Sequence, residues 1–138
     1  MSKLLSRKLY DKVYSNVPRI CVDLVLKNKN GILLTKRKPK QSYEGFLHIP
    51  GGRILFRETI EKAIKRIAKK ELNAKVIYSK FIGLIEFRKE NENGSERHSI
   101  SLVHEIKLSS VKGFKFYKRI PVKTIKGQRD FLIKKYKL

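Results

Sequence analysis

Apolar and polar residues recur along this chain with two periods, and the places where the period changes mark its elements. Between residues 3 and 15, Leu4, Leu5, Leu9 and Val13 recur with Tyr10 and Tyr14 at helical spacing, which predicts a short amphipathic helix. Residues 19 to 27 read as a strand, and Asn28 to Gly31 as a polar turn containing Asn-Gly. Ile32 to Lys36 is a second strand, Arg37 to Gly45 a polar loop, and Phe46 to Ile49 a short strand running into Pro50. Thr59 to Leu72 has helical period, and Asn73 suits a left-handed C-cap. Lys75 to Arg88 and His98 to Leu108 read as paired strands around a polar loop, Lys89 to Arg97, that contains Asn93-Gly94. Phe114 to Ile120 is a last strand, and Pro121 opens a basic helix reaching to about residue 136. Strands around one central helix, closed by a terminal helix, predict an α/β (α+β) fold: an α/β/α sandwich with a mixed sheet, one domain over residues 1–138.

The stretch Pro50 to Ala74, PGGRILFRETIEKAIKRIAKKELNA, carries the chemistry. At the helical angle per residue, Ile60, Ala63, Ile64, Ile67 and Ala68 fall in an arc of roughly 140°. Glu71 falls inside that arc, between Ile60 and Ile64, so the projection places a carboxylate on the apolar face. Such a group is unfavourable unless it meets a cation, donors or a metal.

Charge and cysteine content change the picture of partners. The chain holds 34 basic residues against 12 acidic ones, a net charge of +22 over 138 residues. The excess is uneven: residues 106 to 138 set eleven basic residues against Asp130. A field of this sign attracts polyanions, either RNA or a nucleotide diphosphate, and a Lys-rich solvated surface would give the same composition. Phe81, Phe87, Phe114, Phe116 and Tyr117 alternate with basic residues, where they could stack bases, although core positions of strands produce the same pattern. No apolar run approaches the length of a membrane span, and the first residues lack the apolar core of a secretory signal, so neither feature is expected. The lone Cys21 excludes an intramolecular disulfide and fits the cytoplasm.

The segment from Gly52 resembles the Nudix hydrolase signature, G-x5-E-x7-R-E-U-x-E-E-x-G-U. Gly52, Glu58 and Arg66 keep its spacing, while Ile67, Lys70 and Asn73 replace two glutamates and a glycine. Of the three helix carboxylates only Glu71 remains. A reduced box of this kind resembles the GDP-mannose mannosyl hydrolase branch, through Pro50, Gly51, Gly52, Arg53, Glu58, Thr59, Ile60, Glu61, Arg66, Glu71 and Leu72. The likeness covers roughly residues 5 to 110, with Asp23 in the first core strand, Arg37 after the second and His98 opening a later one.

The resemblance implies a Nudix-type sandwich and Mg²⁺-dependent hydrolysis of a nucleoside diphosphate sugar, with Mn²⁺ as a substitute ion. It implies metal ligation by Gly52 and Glu71, substrate binding by Asp23, Arg37 and Arg53, and catalysis by Arg37 with His98 as the nearest candidate base. Glu58 and Arg66 would pair to brace the loop before the helix. The branch also carries a Gln-His pair on a late loop, as metal ligand and general base. Counting back from Tyr117-Lys118-Arg119-Ile120 places Gly113 and Phe114 there, and the chain beyond Glu105 contains no histidine. The base must therefore come from elsewhere. The rival expectation is a catalytically impaired Nudix-fold module that binds RNA or a ribonucleoprotein through its basic surface. A homodimer is compatible with either. A generic Nudix pyrophosphatase would need the carboxylates that this helix lacks.

Overall fold

A computed structural model describes residues 4–39, 41 and 43–138. The order is α1 (Arg7–Tyr14), β1 (Arg19–Asn28), β2 (Gly31–Leu33), β3 (Thr35–Lys36), β4 (Leu47–His48), β5 (Gly51–Arg53), α2 (Ile60–Leu72), β6 (Val76–Glu92), β7 (Ser95–Leu108), β8 (Phe116–Tyr117) and α3 (Lys126–Tyr136). The main sheet runs β6-β7-β1-β2-β8, with β5 also paired to β1. The β1–β7 pair is parallel and the other pairs are antiparallel, so the sheet is mixed. Among the described residues, no helix is long and apolar enough to cross a membrane.

Strand alternation in β1 divides the molecule into two faces. Val22, Leu24 and Leu26 pack with Ala63, Ile64, Ile67, Ala68 and Leu72 of α2. Val25 points the other way, into a second cluster with Ile85, Phe87, Val103, Ile125 and Leu132 of α3. Because side chains alternate along a strand, Cys21 and Asp23 share Val25's face. The two helices thus cover opposite sides of one sheet.

Local chemistry sets the element ends. Thr59 caps α2, its hydroxyl accepting from the Lys62 amide at 3.1 Å, and Asn73 closes the helix in the left-handed region at φ 49°. Ser6 caps α1 in the same way, so that helix begins later than the pattern predicts; residue 3 lies outside the described residues.

Several expected bounds change. The loop expected over Lys89 to Arg97 is instead strand on both sides of a turn at Asn93-Gly94, both with positive φ, 50° and 81°. Three of its polar residues turn inward: Glu90 and Glu92 form ion pairs with Arg19, and Glu92 also with Arg97. The second strand breaks at Leu34, and Thr35–Lys36 turn away to pair with β4. The last strand shortens to Phe116–Tyr117. The C-terminal helix begins at Lys126 rather than Pro121, because Thr124 bridges Leu47 and the Ile125 amide donates to the Leu47 carbonyl at 3.0 Å. Of the aromatics set among cations, Phe87 is buried, Phe114, Phe116 and Tyr117 pack against the core, and Phe81 is exposed.

Candidate active site

On the α3 face, where β1, β5, β6 and β7 approach α1, lies a polar cleft of about 160 Å³. Asp23, Arg37, Gly52, Arg53, Glu90 and Gln128 line it, drawn from distant parts of the chain. Asp23 is 6% exposed, at the register position opposite Gly51. A side chain at Gly51 would overlap the Asp23 carboxylate, so the glycine is what lets β5 lie against β1 here. Burial pushes the Asp23 carboxyl up to about 7; the nearby charge of Glu90 adds to the shift, and hydrogen bonds from Ser101 and Gln128 and the charge of Arg37 oppose it. Gln128 ties α3 to this point. Its Oε1 accepts from the Ile49 amide at 2.8 Å, and its Nε2 donates to Asp23 Oδ2 at 3.4 Å.

The cationic residues of the cleft are held in different ways. Arg19 is buried and fully engaged: Nε donates to Ser99 Oγ at 3.0 Å, Nη1 to the Tyr10 hydroxyl at 2.6 Å and to Glu92 at 3.2 Å, and Nη2 to Glu90 at 3.1 Å. Burial opposes its charge, but Tyr10, Glu92 and Glu90 outweigh burial and hold its pKa above the ordinary value. Arg37 is half-buried, and burial pulls its pKa down against the charges of Glu90 and Asp23. Arg53 stacks near Tyr10 and Tyr14, 5.4 and 5.3 Å from their ring centres. His48, also in the cleft, is pushed down to about 4 by burial and by Arg37, so it is neutral at neutral pH. Its Nε2 lies 3.1 Å from Thr35 Oγ1.

The box helix stands on the other face. Arg66 binds Glu58 bidentately, at 2.7 and 3.0 Å, and also donates to the Arg53 carbonyl at 2.7 Å. Glu58 accepts from the Leu55 amide at 3.0 Å, and the Arg66 hydrogen bond holds its carboxyl below the usual range. Together these bonds fix the loop from Arg53 to Glu58. Gly52 lies against Ile67, which is 2% exposed and belongs to the core.

Glu71 is exposed, which corrects the expectation of a buried carboxylate. Angular position sets the side a residue faces, but not whether the sheet extends beneath it. Ile60 and Glu71 share one sector at opposite ends of α2, and both are exposed, while the apolar residues between them are covered. The structure does not bring Glu71 into the cleft with Asp23 and Arg37. His98 is also elsewhere: it lines a separate hollow with Tyr14, Arg88 and Glu96. Gly113, at the place of the branch's late-loop glutamine, is exposed.

Among the described residues, no group of three or more His, Cys, Asp or Glu could enclose a metal ion. Gly52 lines the cleft and Glu71 lies outside it, so an ion held by Glu71 would have to meet the cleft through its own waters and a substrate's phosphates, as Mg²⁺ with one or two protein carboxylates can. Sequence reasoning missed Arg19, Glu90, Glu92, Gln128 and His48. For two pairs a signal exists in the i, i+2 spacing of Arg19 with Cys21 and of Glu90 with Glu92, which puts each pair on one strand face.

The NUDIX domain family model matches residues 17–114. A relative from Haloferax volcanii, the low-salt glycan biosynthesis protein Agl8, is 28% identical over 102 residues, covering 72% of this chain and 65% of its own length. The chain therefore spans just under two thirds of that relative. Among solved structures, a MutT NUDIX hydrolase from Burkholderia pseudomallei superposes with a TM-score of 0.70 at 18% identity, over 85% of this chain and 97% of the other. The MutT protein from Methanosarcina mazei Go1 does so with a TM-score of 0.70 at 18% identity, over 88% and 96%. The identities speak for the fold, and the family model settles membership: the chain belongs to the Nudix family.

Proposed function

We propose that this Nudix protein hydrolyses a nucleoside diphosphate sugar of the GDP-mannose type, with water attacking the anomeric carbon and a nucleoside diphosphate leaving. The observation that carries the reading is the meeting of Asp23, Arg37 and Arg53 in one polar cleft. The glycan-biosynthesis name of the Haloferax relative agrees with a sugar substrate. A cleft of about 160 Å³ is smaller than most pockets that enclose a whole ligand, so it suits the sugar while the remainder lies across the mouth.

Arg37 binds the diphosphate by charged hydrogen bonds and Arg53 contributes its field from the same wall. Asp23, about half protonated near neutral pH, hydrogen-bonds the sugar, and in its protonated form it does so without placing a second negative charge beside the leaving group. Glu58 and Arg66 hold the loop that presents Arg53. Gly52 and Glu71 would hold Mg²⁺, or Mn²⁺ in its place, which would neutralise charge on the diphosphate. Turnover in ¹⁸O water tests the reading: label on the sugar supports it, and label on phosphate moves the chain to the pyrophosphatases.

A second reading is an RNA-binding module. It is favoured by the +22 charge and by exposed aromatic–lysine pairs such as Tyr78 with Lys107 and Phe46 with Lys123. RNA held by many phosphates would bind with a log–log salt slope of about −0.7 per contact for single strands. Replacing Lys123, Lys126, Lys134 and Lys135 by Gln would flatten that slope and leave nucleotide-sugar turnover intact. A slope near zero in the unmodified protein removes this reading.

A further inference from the structure

The cleft contains a carboxylate that neither the box nor the branch resemblance assigns. Glu90 lies near the end of β6, with its side chain 10% exposed, in the same cleft as Asp23 and Arg37. Its charge bears on Arg19, Cys21, Asp23, Arg37 and Tyr43, so it stands amid the cleft's other polar groups. Among the described residues, only Arg19 hydrogen-bonds its carboxylate, through Oε1, and Oε2 is left to the cleft.

Glu92, two residues on, is placed differently. It accepts from Arg19 at 3.2 Å and from Arg97 at 3.2 Å, and pairs with Arg7 at 3.6 Å. Arg97, with no side-chain exposure, is also bound to Asp11 and Ser15 of the α1 region. Glu92 therefore belongs to a network that closes the hairpin onto α1. Glu90 instead hydrogen-bonds one guanidinium, that of Arg19, through one oxygen, and lies in the field of Arg37. The other groups that could serve as base are poorly placed. His98 is outside the cleft, His48 Nε2 already lies 3.1 Å from Thr35 Oγ1, and Asp23 is taken up by Gln128 and by its role on the sugar.

We propose that Glu90 is the general base of this cleft, taking the proton of the water that attacks the anomeric carbon of a nucleoside diphosphate sugar. The inference rests on the function proposed above. The water oxygen forms the new bond to the anomeric carbon. The bond from that carbon to the diphosphate oxygen breaks, and its electron pair leaves with the nucleoside diphosphate. The water proton goes to the free oxygen of Glu90 and returns to solvent when the products depart. Attack from the side opposite the leaving group yields the sugar with inverted anomeric configuration.

The test compares wild type with Glu90→Gln, Glu90→Asp and Glu90→Ala on GDP-mannose. Gln keeps an acceptor for Arg19 and removes the base, so kcat should fall by about 10²–10⁴-fold while KM moves by less than about threefold. Asp should recover part of the loss. Azide added to Glu90→Ala should restore turnover and give an inverted glycosyl azide by NMR, because azide needs no base. Asp11→Asn, which weakens the same ion network away from the cleft, should lower thermal stability and leave kcat unchanged. Near-normal kcat in Glu90→Gln overturns the base and leaves the proposed function standing. Loss of activity with no azide rescue and lowered stability also overturns it, making Glu90 a brace. A wild type without turnover, or with label on phosphate, overturns the base together with the reading beneath it.

Discussion

The two faces of the sheet divide the work unequally. On the α2 face stands the box, the part of the sequence most clearly marked by its family, yet its helix mainly builds core: Ile67 presses on Gly52, and Arg66 with Glu58 braces a loop. On the α3 face, strands with no motif of their own assemble Arg19, Asp23, Arg37 and Glu90 around a cleft. The comparison teaches that a motif can persist as scaffold after losing most of its ligands. Its Arg66–Glu58 clamp also holds the Arg53 carbonyl, so the box reaches the cleft through backbone position.

The comparison breaks most easily at Arg37. Replacing it by Ala should reduce kcat/KM for the nucleotide sugar by about 100-fold or more, through loss of charged hydrogen bonds to the diphosphate. Steady-state kinetics with an unchanged melting temperature would assign the loss to the cleft. A smaller but still large effect belongs to the clamp. Glu58 has only 3% side-chain exposure, so Arg66→Ala leaves a carboxylate with little water. A loss of about 2–3 kcal/mol in urea denaturation is expected, kept below the fully buried range because Arg66 itself is 34% exposed. An unchanged midpoint would show the clamp to be decorative.

The pH dependence of stability sharpens the contrast further. The folded value of about 7 at Asp23 lies above its unfolded value near 4, so the folded state holds the proton more tightly. The stability this adds is fully present below about pH 4 and is lost as pH rises through about 7. Asp23→Asn removes that titration. From pH 4 to 8 the ligand-free variant should gain on wild type by about 3–4 kcal/mol, read from denaturation at each pH. Parallel curves would mean that the carboxylate is ionised in the fold. The smallest stability effect falls on the box helix. Glu71→Gln, at an exposed position, should change stability by less than about 0.5 kcal/mol. The same change should weaken Mg²⁺ binding in the presence of a nucleoside diphosphate by at least about tenfold, or about 1.4 kcal/mol. Equal affinities would remove Glu71 as a ligand.

Local signals in the sequence were enough for most of the fold. Thr59 and Asn73 bound α2 by their own side-chain and backbone chemistry, and Asn93-Gly94 sits at the tip of its hairpin. The hairpin's length was hidden because Glu90, Glu92 and Arg97 look like loop residues until their partners on β1 and α1 are known. Pro121 is a plausible helix start, but the Ile125–Leu47 hydrogen bond, which joins distant residues, holds that stretch out of the helix.

The site was less legible. Asp23 and Arg37 could be named only through the family resemblance, and a helical projection could not tell that Glu71 is left exposed. Nor could it show Gln128 reaching Asp23 across 105 residues of chain. Pairings at that separation leave no periodic trace.

A crystal structure with a non-hydrolysable GDP-sugar and Mg²⁺ tests the central claim most directly. The account predicts the diphosphate against Arg37, the sugar between Asp23 and Glu90 on the α3 face, and the ion beside Glu71 and Gly52. A ligand seated away from Arg37, on the α2 side or on the lysine-rich surface, would contradict it.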